Sequence, residues 1–289
     1  MVENKNILIT GSDGQLGSAL KEISENYEFR YFFTNRKSLD ITDRNKLYNF
    51  LKEFEINTII NCAAYTDVNK AENERDVCNH INNVAVGLLS EMCEKFNIQL
   101  IHISTDFVFD GVKKTAYNEE DEPNPLNYYG ITKFEGEKSM LKYNLINSAI
   151  IRTSWLYYNS KNNFVNKIVK DILRNSEINV VDNEFGSPTN AKDLAKAILY
   201  IIPKLKNSKT EIYHFSNEGF CSRNKFAQKI NELLDSDVRV NNFYQTSAKT
   251  LRPKFSALNC QKISTNFDLK INSWEESLFN HLNKLKINT

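Results

Sequence analysis

Short apolar runs alternate with amphipathic segments throughout the first half of the chain. The apolar runs are 7–10, 29–33, 58–64, 100–105 and 149–153, and the segments with helical periodicity are 15–24, 44–54, 77–96 and 129–142. Short strands that are apolar on both faces and separated by amphipathic helices are typical of parallel sheets covered by helices on both sides. The pattern therefore predicts an α/β fold with a Rossmann-type, doubly wound parallel sheet.

The second half of the chain breaks this alternation. It is predicted to contain helices at 163–175, 191–202, 223–234 and 274–285 and short strands at 178–181 and 212–216. We expect residues 1–155 to form the sheet domain, joined by a returning segment near 190–217. Residues 156–289 are expected to form a smaller, discontinuous α+β lobe that closes over the sheet.

Three glycines at spacing i, i+3, i+6 follow the first predicted strand: Gly11, Gly14 and Gly17. With Gln15 and Leu16 they connect this strand to the first helix. Glycines at these positions permit a tight turn, a close approach of the backbone to a diphosphate, and packing of the helix on the strand. The helix N-terminus then faces the phosphates. The sequence therefore predicts an NAD(P)-binding domain.

Composition narrows the class of protein. The 289 residues carry a net charge of +1, so no strongly basic surface indicates a nucleic-acid partner. No apolar run reaches the roughly 18 residues that a membrane span needs. The five cysteines show no paired spacing, and the first strand begins almost at once, so we expect reduced thiols and a cytoplasmic protein. The four histidines lack metal-ligand spacing, and no metal site is predicted.

One Tyr-x-x-x-Lys element stands out among the four in the chain. Tyr129 opens the helix between the fourth and fifth predicted strands, and helical i, i+4 spacing places Lys133 on the same face. A nearby ammonium favours the tyrosinate and is expected to lower the pKa of the phenol toward neutrality. Thr105, at the end of the fourth strand, could donate a hydrogen bond to a substrate carbonyl. We interpret Thr105, Tyr129 and Lys133 as a ketone-reducing site.

The end of the second strand indicates which nicotinamide cofactor binds. It carries no acidic residue to bind a ribose 2′-hydroxyl, and Arg36 is placed to meet a 2′-phosphate instead. The sequence therefore predicts NADPH, with NADH as the alternative cofactor.

Ten motifs in order along nearly the whole chain resemble those of the dTDP-4-dehydrorhamnose reductases, a family of the extended short-chain dehydrogenase/reductase superfamily. The motifs are GSDGQLG (11–17), LDITD (39–43), NCAAYT (61–66), ISTDFVFDG (103–111), YGITK (129–133), RTSWLY (152–157), NF (163–164), GSPT (186–189), RP (252–253) and WEESL (274–278). The resemblance implies NAD(P)H-dependent reduction of the C4 ketone of dTDP-4-dehydro-6-deoxy-L-mannose to dTDP-L-rhamnose, a step of surface-polysaccharide (O-antigen) biosynthesis.

The resemblance also implies roles for individual residues. Tyr129 would be the proton donor, Lys133 would lower its pKa and hold the nicotinamide ribose, and Thr105 would polarise the ketone. Asp106 and Trp155 match positions associated with the sugar nucleotide. Residues that would bind the cofactor are Gly14, Gln15 and Leu16 at the diphosphate, Asp40 and Ile41 at the adenine, and Ala63, Ala64 and Tyr65 along the remainder.

Phe107 separates this chain from the dehydratases of the superfamily, which carry Glu at that position for the elimination of water. The reductases usually carry Tyr there, so a hydroxyl contact is absent. Other readings stay open: a reductase of another 4-keto sugar, an epimerase, or a binding protein like the regulatory subunit of methionine adenosyltransferase. Asn82 is a weaker candidate for the active site. Some family members form homodimers with Mg²⁺ at the contact, but no carboxylate cluster in this sequence assigns that metal.

Overall fold

The computed structural model describes residues 5–159, 163–244 and 250–287. Within these residues the strands are β1 (Asn6–Thr10), β2 (Arg30–Phe33), β3 (Thr58–Asn61), β4 (Gln99–Thr105), β5 (Ala149–Thr153), β6 (Leu156–Tyr157), β7 (Glu177–Val181), β8 (Phe185–Gly186), β9 (Thr189–Asn190), β10 (Glu211–His214), β11 (Cys221–Ser222) and β12 (Arg239–Phe243). Over the same residues the helices are α1 (Gln15–Ile23), α2 (Arg44–Glu53), α3 (Val68–Ala71), α4 (Arg75–Asn79), α5 (Ala85–Phe96), α6 (Tyr128–Leu141), α7 (Phe164–Ile172), α8 (Ala191–Ile201), α9 (Arg223–Leu233), α10 (Gln261–Phe267) and α11 (Trp274–Ile287).

In the described part of the chain, a parallel sheet of six strands forms the centre of the molecule, in the order β2-β1-β3-β4-β5-β10. Its inner strands are buried on both faces, which explains why they carry apolar residues at neighbouring positions. The predicted Rossmann-type α/β fold is confirmed. From β1 the chain adds β2 on one side and then crosses over to add β3 on the other. The crevice at the carboxyl ends of β1 and β3, where this change occurs, is the expected ligand site.

Helices cover both faces of this sheet. Ile7 and Ile9 of β1 point into a core formed with α1 and α8, whereas Leu8 points into the opposite core, which α2, α5 and α6 complete. Alternation of neighbouring residues between two apolar cores is what period-two side-chain geometry gives when both faces are covered. The doubly wound arrangement thus follows directly from the apolar strands.

A smaller lobe follows β5. Helices α7, α9 and α11 enclose an apolar core that contains Phe226 and Trp274. Strand β7 pairs with β12 in parallel, and β8 pairs with β11 in antiparallel fashion. Strand β10, however, belongs to the main sheet, and α8 packs into the first core, which supports the expected returning segment. The division of the chain at residue 155 remains a proposal.

Several element boundaries differ from the predictions. The third strand ends at Asn61, three residues early, because the backbone then leaves the ladder beside the glycine turn. The predicted helix 77–96 is interrupted by a π-helical turn, His80–Val84. Strand β12 was not predicted, because its polar and largely exposed sequence lacks an apolar pattern.

Candidate active site

A cavity of about 1180 Å³ opens at the carboxyl ends of the sheet strands and extends under the smaller lobe. Pockets for a single small ligand measure about 300–1,000 Å³, so this cavity has room for a dinucleotide together with a second ligand. Its lining contains every site residue predicted from the sequence except Tyr65 and the weaker candidate Asn82. These residues come from both halves of the chain.

The glycine turn forms one wall of the cavity. Gly11 has φ +62°, and a Cβ atom there would lie 2.7 Å from the Ala63 nitrogen. A Cβ atom on Gly17 would lie 2.4 Å from the Ser12 Cα, so both positions exclude side chains. Gly14 caps α1 without any side-chain acceptor, which leaves the first backbone N–H groups of the helix facing the cavity. This turn fits the diphosphate of a dinucleotide.

Two further features of this wall concern the cofactor. Gln15 donates to the Leu156 carbonyl at 3.2 Å, while its buried Oε1 has no partner among the described residues and can accept from a ligand. At the rim, the Asp40 carboxylate accepts from the amide and hydroxyl of Thr42, at 3.0 and 2.7 Å, which fixes the turn beside Ile41. The Arg36 side chain is 80% exposed and lies 4.0 Å from Asp40.

The structure does not bring the Tyr65 side chain to the cavity. Its hydroxyl donates to Glu74 at 2.8 Å. Its backbone amide donates to Oδ1 of Asn82 at 2.9 Å, and Nδ2 of Asn82 donates back to its carbonyl at 3.0 Å. Asn82, buried in the π-helical turn, therefore fixes the loop after β3. Both polar atoms of its side chain bond the backbone of that loop.

Thr105, Tyr129 and Lys133 lie together at the centre of the cavity. The Thr105 hydroxyl donates to Oδ1 of Asp106 at 3.1 Å, and its oxygen is hydrogen-bonded to the Tyr129 phenol. Tyr129 lies in the first turn of α6, which begins there because the Asn127 side chain caps it by accepting from the Gly130 amide at 2.9 Å. The ring of Phe107 packs edge-on against Tyr129, with centroids 5.7 Å apart. A hydroxyl and a phenol thus converge on one point.

The expected lowering of the Tyr129 pKa by Lys133 is wrong for the protein alone. Burial raises the pKa of Tyr129, and its hydrogen bond with Thr105 opposes this only in part. The ammonium of Lys133 is turned toward the strand instead: it donates to the Ile103 carbonyl at 2.7 Å and lies 3.3 Å from Nε2 of His102. Burial lowers the pKa of Lys133 itself to about 8.

Asp106 is buried beside Thr105, and its Oδ2 has no hydrogen-bond partner among the described residues. Burial raises the pKa of this carboxyl to about 6, although hydrogen bonds from Ser256 and Thr105 and the charge of Arg223 act in the opposite direction. A buried carboxyl with one unpaired oxygen at a cavity wall is suited to accept a hydrogen bond from a ligand hydroxyl.

Trp155 forms the opposite wall in a strained conformation. Its φ of +44° lies in the left-handed region, which is rare for a bulky residue and is found mainly at functional sites. Its ring covers Gly186, where a Cβ atom would lie 2.4 Å from the indole. The guanidinium of Arg223 stacks on the same ring at 3.4 Å from the centroid.

Sequence reasoning missed Arg223 and Arg252 as cavity residues. Burial lowers the pKa of Arg223 to about 10; Glu184, 3.8 Å away, counteracts this, and the charge of Arg252 adds to it. Two guanidinium groups close enough to repel each other favour an anion between them. The Arg-Pro motif at 252 was the available signal for Arg252, but nothing in the sequence distinguished Arg223 from other helix-opening arginines.

No group of three or more His, Cys, Asp or Glu side chains is placed to hold a metal ion in the part of the chain that the structure describes. The same residues include no helix with the length and apolar character of a membrane span.

Comparisons with known proteins agree with this geometry. Residues 5–287 match the family described as the RmlD substrate binding domain. A dTDP-4-dehydrorhamnose reductase of Aggregatibacter actinomycetemcomitans is 35% identical over 95% of this chain and 97% of its own. A dTDP-4-keto-6-deoxy-D-glucose reductase of Streptomyces niveus is 31% identical over 87% of each chain. The crystal structure of a Bacillus anthracis dTDP-4-dehydrorhamnose reductase in complex with NADP is 35% identical, with a TM-score of 0.92, over 97% of this chain and 99% of that chain.

Proposed function

The chain belongs to the dTDP-4-dehydrorhamnose reductase family, and on this premise we propose that it reduces the C4 ketone of dTDP-4-dehydro-6-deoxy-L-mannose to dTDP-L-rhamnose with NADPH. The observation that carries the proposal is the convergence of Thr105, Tyr129 and Lys133 inside a cavity that also contains the glycine turn. The product would serve surface-polysaccharide synthesis.

NADPH, when bound, supplies the hydride that forms the new C–H bond at C4. The ketone oxygen then needs a proton, and the Tyr129 phenol is placed to donate it, which leaves a tyrosinate. The Thr105 hydroxyl, which donates to Asp106 in the protein alone, turns to donate to the same oxygen as negative charge develops. Lys133 stabilises the tyrosinate by its charge once its remaining N–H faces the cavity, and a solvent proton restores the phenol.

The two walls of the cavity have different proposed ligands. We call the wall formed by 11–17, 36–41 and 63–64 the cofactor side, because its backbone N–H groups and glycines suit a dinucleotide diphosphate. We call the wall formed by Asp106, Trp155, Arg223 and Arg252 the substrate side. There the two arginines are proposed to bind the diphosphate of the sugar nucleotide, and Asp106 a sugar hydroxyl.

The experiment that tests this function is turnover by the purified chain. NADPH absorbance is followed after addition of enzymatically prepared dTDP-4-dehydro-6-deoxy-L-mannose, and the product is identified by chromatography and NMR. Formation of dTDP-L-rhamnose, with one NADPH consumed per sugar, is expected. Binding of NADPH without turnover of this sugar would contradict the proposed substrate.

A second candidate is reduction of a 4-keto sugar whose other ring carbons have a different configuration, which the Streptomyces niveus relative favours. That relative's name specifies a 4-keto-6-deoxy-D-glucose substrate, so the two functions differ in the sugar bound against Trp155. Parallel assays with dTDP-4-keto-6-deoxy-D-glucose, and the configuration of the product by NMR, separate them.

Three expectations from the sequence keep that status here: a cytoplasmic location, a homodimer as in some family members, and the alternative of a binding protein like the methionine adenosyltransferase regulatory subunit. Mg²⁺ at a dimer contact was not assigned by the sequence. Oxidation of NADPH by sugar without any partner protein would argue against the binding-protein alternative. Light scattering with and without Mg²⁺ tests the dimer and the metal together.

A further inference from the structure

A row of three buried polar residues crosses the apolar centre of the main sheet. Thr10 of β1 is paired in register with Asn61 of β3, and Asn61 is paired with His102 of β4. All three are at most 1% exposed. Buried polar groups destabilise a core unless they are hydrogen-bonded, so a continuous row in the middle of a sheet requires an explanation.

The row is hydrogen-bonded from end to end and leads to the active site. Thr10 Oγ1 lies 2.7 Å from Oδ1 of Asn61, the Asn61 amide lies 3.0 Å from Nδ1 of His102, and Nε2 of His102 lies 3.3 Å from the Lys133 ammonium. The row ends there, because the next residue in register, on β5, is Ile150.

The charge of Lys133 decides how the hydrogens in this row are arranged. An ammonium group has only donors, so Nε2 of His102 must accept, and a neutral ring must then carry its hydrogen on Nδ1. The structure has Asn61 the other way round, with Nδ2 at Nδ1 of His102 and Oδ1 at Thr10, so the two ends of this amide must be exchanged. The carbonyl oxygen of Asn61 then accepts from Nδ1–H, and its nitrogen donates to the Thr10 hydroxyl, a group that can accept. All hydrogens in the row then point from Lys133 toward Thr10.

We propose that His102 is a positioning residue for the reduction: as the neutral Nδ1–H tautomer, fixed by Asn61 and Thr10, it accepts a hydrogen bond from Lys133 and holds that side chain charged and aligned beneath Tyr129. The Ile103 carbonyl takes a second hydrogen, so the third hydrogen of the ammonium is available in the cavity. Burial and the charge of Lys133 both lower the pKa of His102, so the ring stays neutral.

The groups around Lys133 make its charge state sensitive to this bond. Burial lowers the pKa of Lys133 to about 8, while Glu137 on the same helix and the thiols of Cys78 and Cys62, on α4 and after β3, raise it. Glu137 is already engaged by Arg152 and Ser104. Loss of the acceptor on β4 would lower the pKa of Lys133 further, and activity would fall at neutral pH for lack of ammonium.

Histidine NMR tests the tautomer without any reference to the reaction. Long-range ¹H–¹⁵N spectra of the full chain, labelled at its four histidines, should show His102 neutral with its hydrogen on Nδ1 at pH 7, assigned by the signal missing from His102→Gln. A hydrogen on Nε2, or a charged ring, would overturn the proposal. This readout stands even if the substrate proves to be another sugar, because it rests on Lys133 and not on the proposed function.

Kinetics of three variants test the effect on the reaction, a step that rests on the proposed function. His102→Leu removes the acceptor, and the alkaline limb of the kcat profile should move about one pH unit lower, with KM for the sugar unchanged. His102→Gln offers an amide oxygen in its place and should restore most of that shift. His281→Leu removes a buried histidine of the smaller lobe and should leave the limb in place. Equal pH profiles for His102→Leu and the wild type would also refute the proposal.

Discussion

The two sides of the cavity are built by different means. The cofactor side is mostly backbone: a glycine turn and the helix N-terminus that follows it, which are continuous in sequence, together with the end of β3. The substrate side is mostly side chains, brought from four distant segments and including a tryptophan in a strained conformation. A backbone site needs residues without side chains at fixed spacing, whereas a side-chain site needs a tertiary fold to assemble it. The cofactor side therefore constrains the sequence strongly, whereas the side chains of the substrate side can differ between proteins that bind different sugars.

The largest effect is expected at the residue where both sides meet. Tyr129→Phe removes the proton donor while keeping the ring that packs on Phe107, and kcat should fall about 10²–10⁴-fold. NADPH affinity, measured by fluorescence, should stay close to that of the wild type. Full turnover by this variant would show that another group donates the proton.

Breaking the backbone side alone is expected to affect the cofactor and not the sugar. Gly11→Ala places a Cβ atom 2.7 Å from the Ala63 nitrogen at a φ of +62°, so the turn must shift. The dissociation constant for NADPH should rise about 100-fold, because the helix N–H groups lose their alignment. Gly87→Ala is the control: its Cβ atom meets only Ser139, at 3.6 Å, and calorimetric binding should be unaffected.

Breaking the side-chain side should do the reverse. Arg223→Leu removes the guanidinium that stacks on Trp155, and KM for the sugar nucleotide should rise about 10- to 100-fold as a buried charge contact is lost. The NADPH dissociation constant should not change. Arg239→Leu, an exposed arginine of the same lobe, serves as the control in the steady-state assay. An unchanged KM in Arg223→Leu would remove this residue from the substrate side.

Burial of the Asp106 carboxyl on the substrate side should also lower the free energy of unfolding, and this effect should depend on pH. The pKa of Asp106 is raised to about 6 in the folded protein. Between about pH 4 and 6 the Asp106 carboxyl is therefore ionised in the unfolded chain and still protonated in the folded protein. Stability is therefore lost as pH rises through this window. Asp106→Asn avoids that loss and should gain about 1–3 kcal/mol in the free energy of unfolding at pH 7, with little difference at pH 4. Urea denaturation at both pH values checks this, and an equal difference at the two values would contradict it.

The smallest effect is expected at the exposed arginine of the cofactor side. Arg36→Ala should weaken NADPH binding by about 5- to 10-fold and leave NADH binding unchanged, since an exposed ion pair contributes little. Lys37→Ala alters the neighbouring charge outside the cavity lining and is the matched control. Equal losses for both cofactors would mean that Arg36 does not meet a 2′-phosphate.

The contrast between the two sides also explains how far the sequence could be interpreted. The parallel sheet and the family were predicted and are confirmed, because buried strands and the glycine turn are local patterns. Arg223 was missed because its place in the cavity depends on the lobe that carries it. The predicted direction of the Tyr129 pKa shift was wrong. Helical spacing places Lys133 on the same face of α6 as Tyr129, but it does not show that the ammonium donates to the Ile103 carbonyl of β4 instead.

The place of β10 in the main sheet has a consequence for synthesis of the chain. Strand β5 gains its outer neighbour only from Glu211–His214, and α8 packs against α1, so both elements must leave the ribosome before the sheet is complete. Until then β5 is an open edge strand with apolar residues at 149–151, and unpaired strand edges are sites of aggregation. Fragments that end near residue 155 should therefore be insoluble when they are produced, because they lack β10, the strand that covers this edge of the sheet.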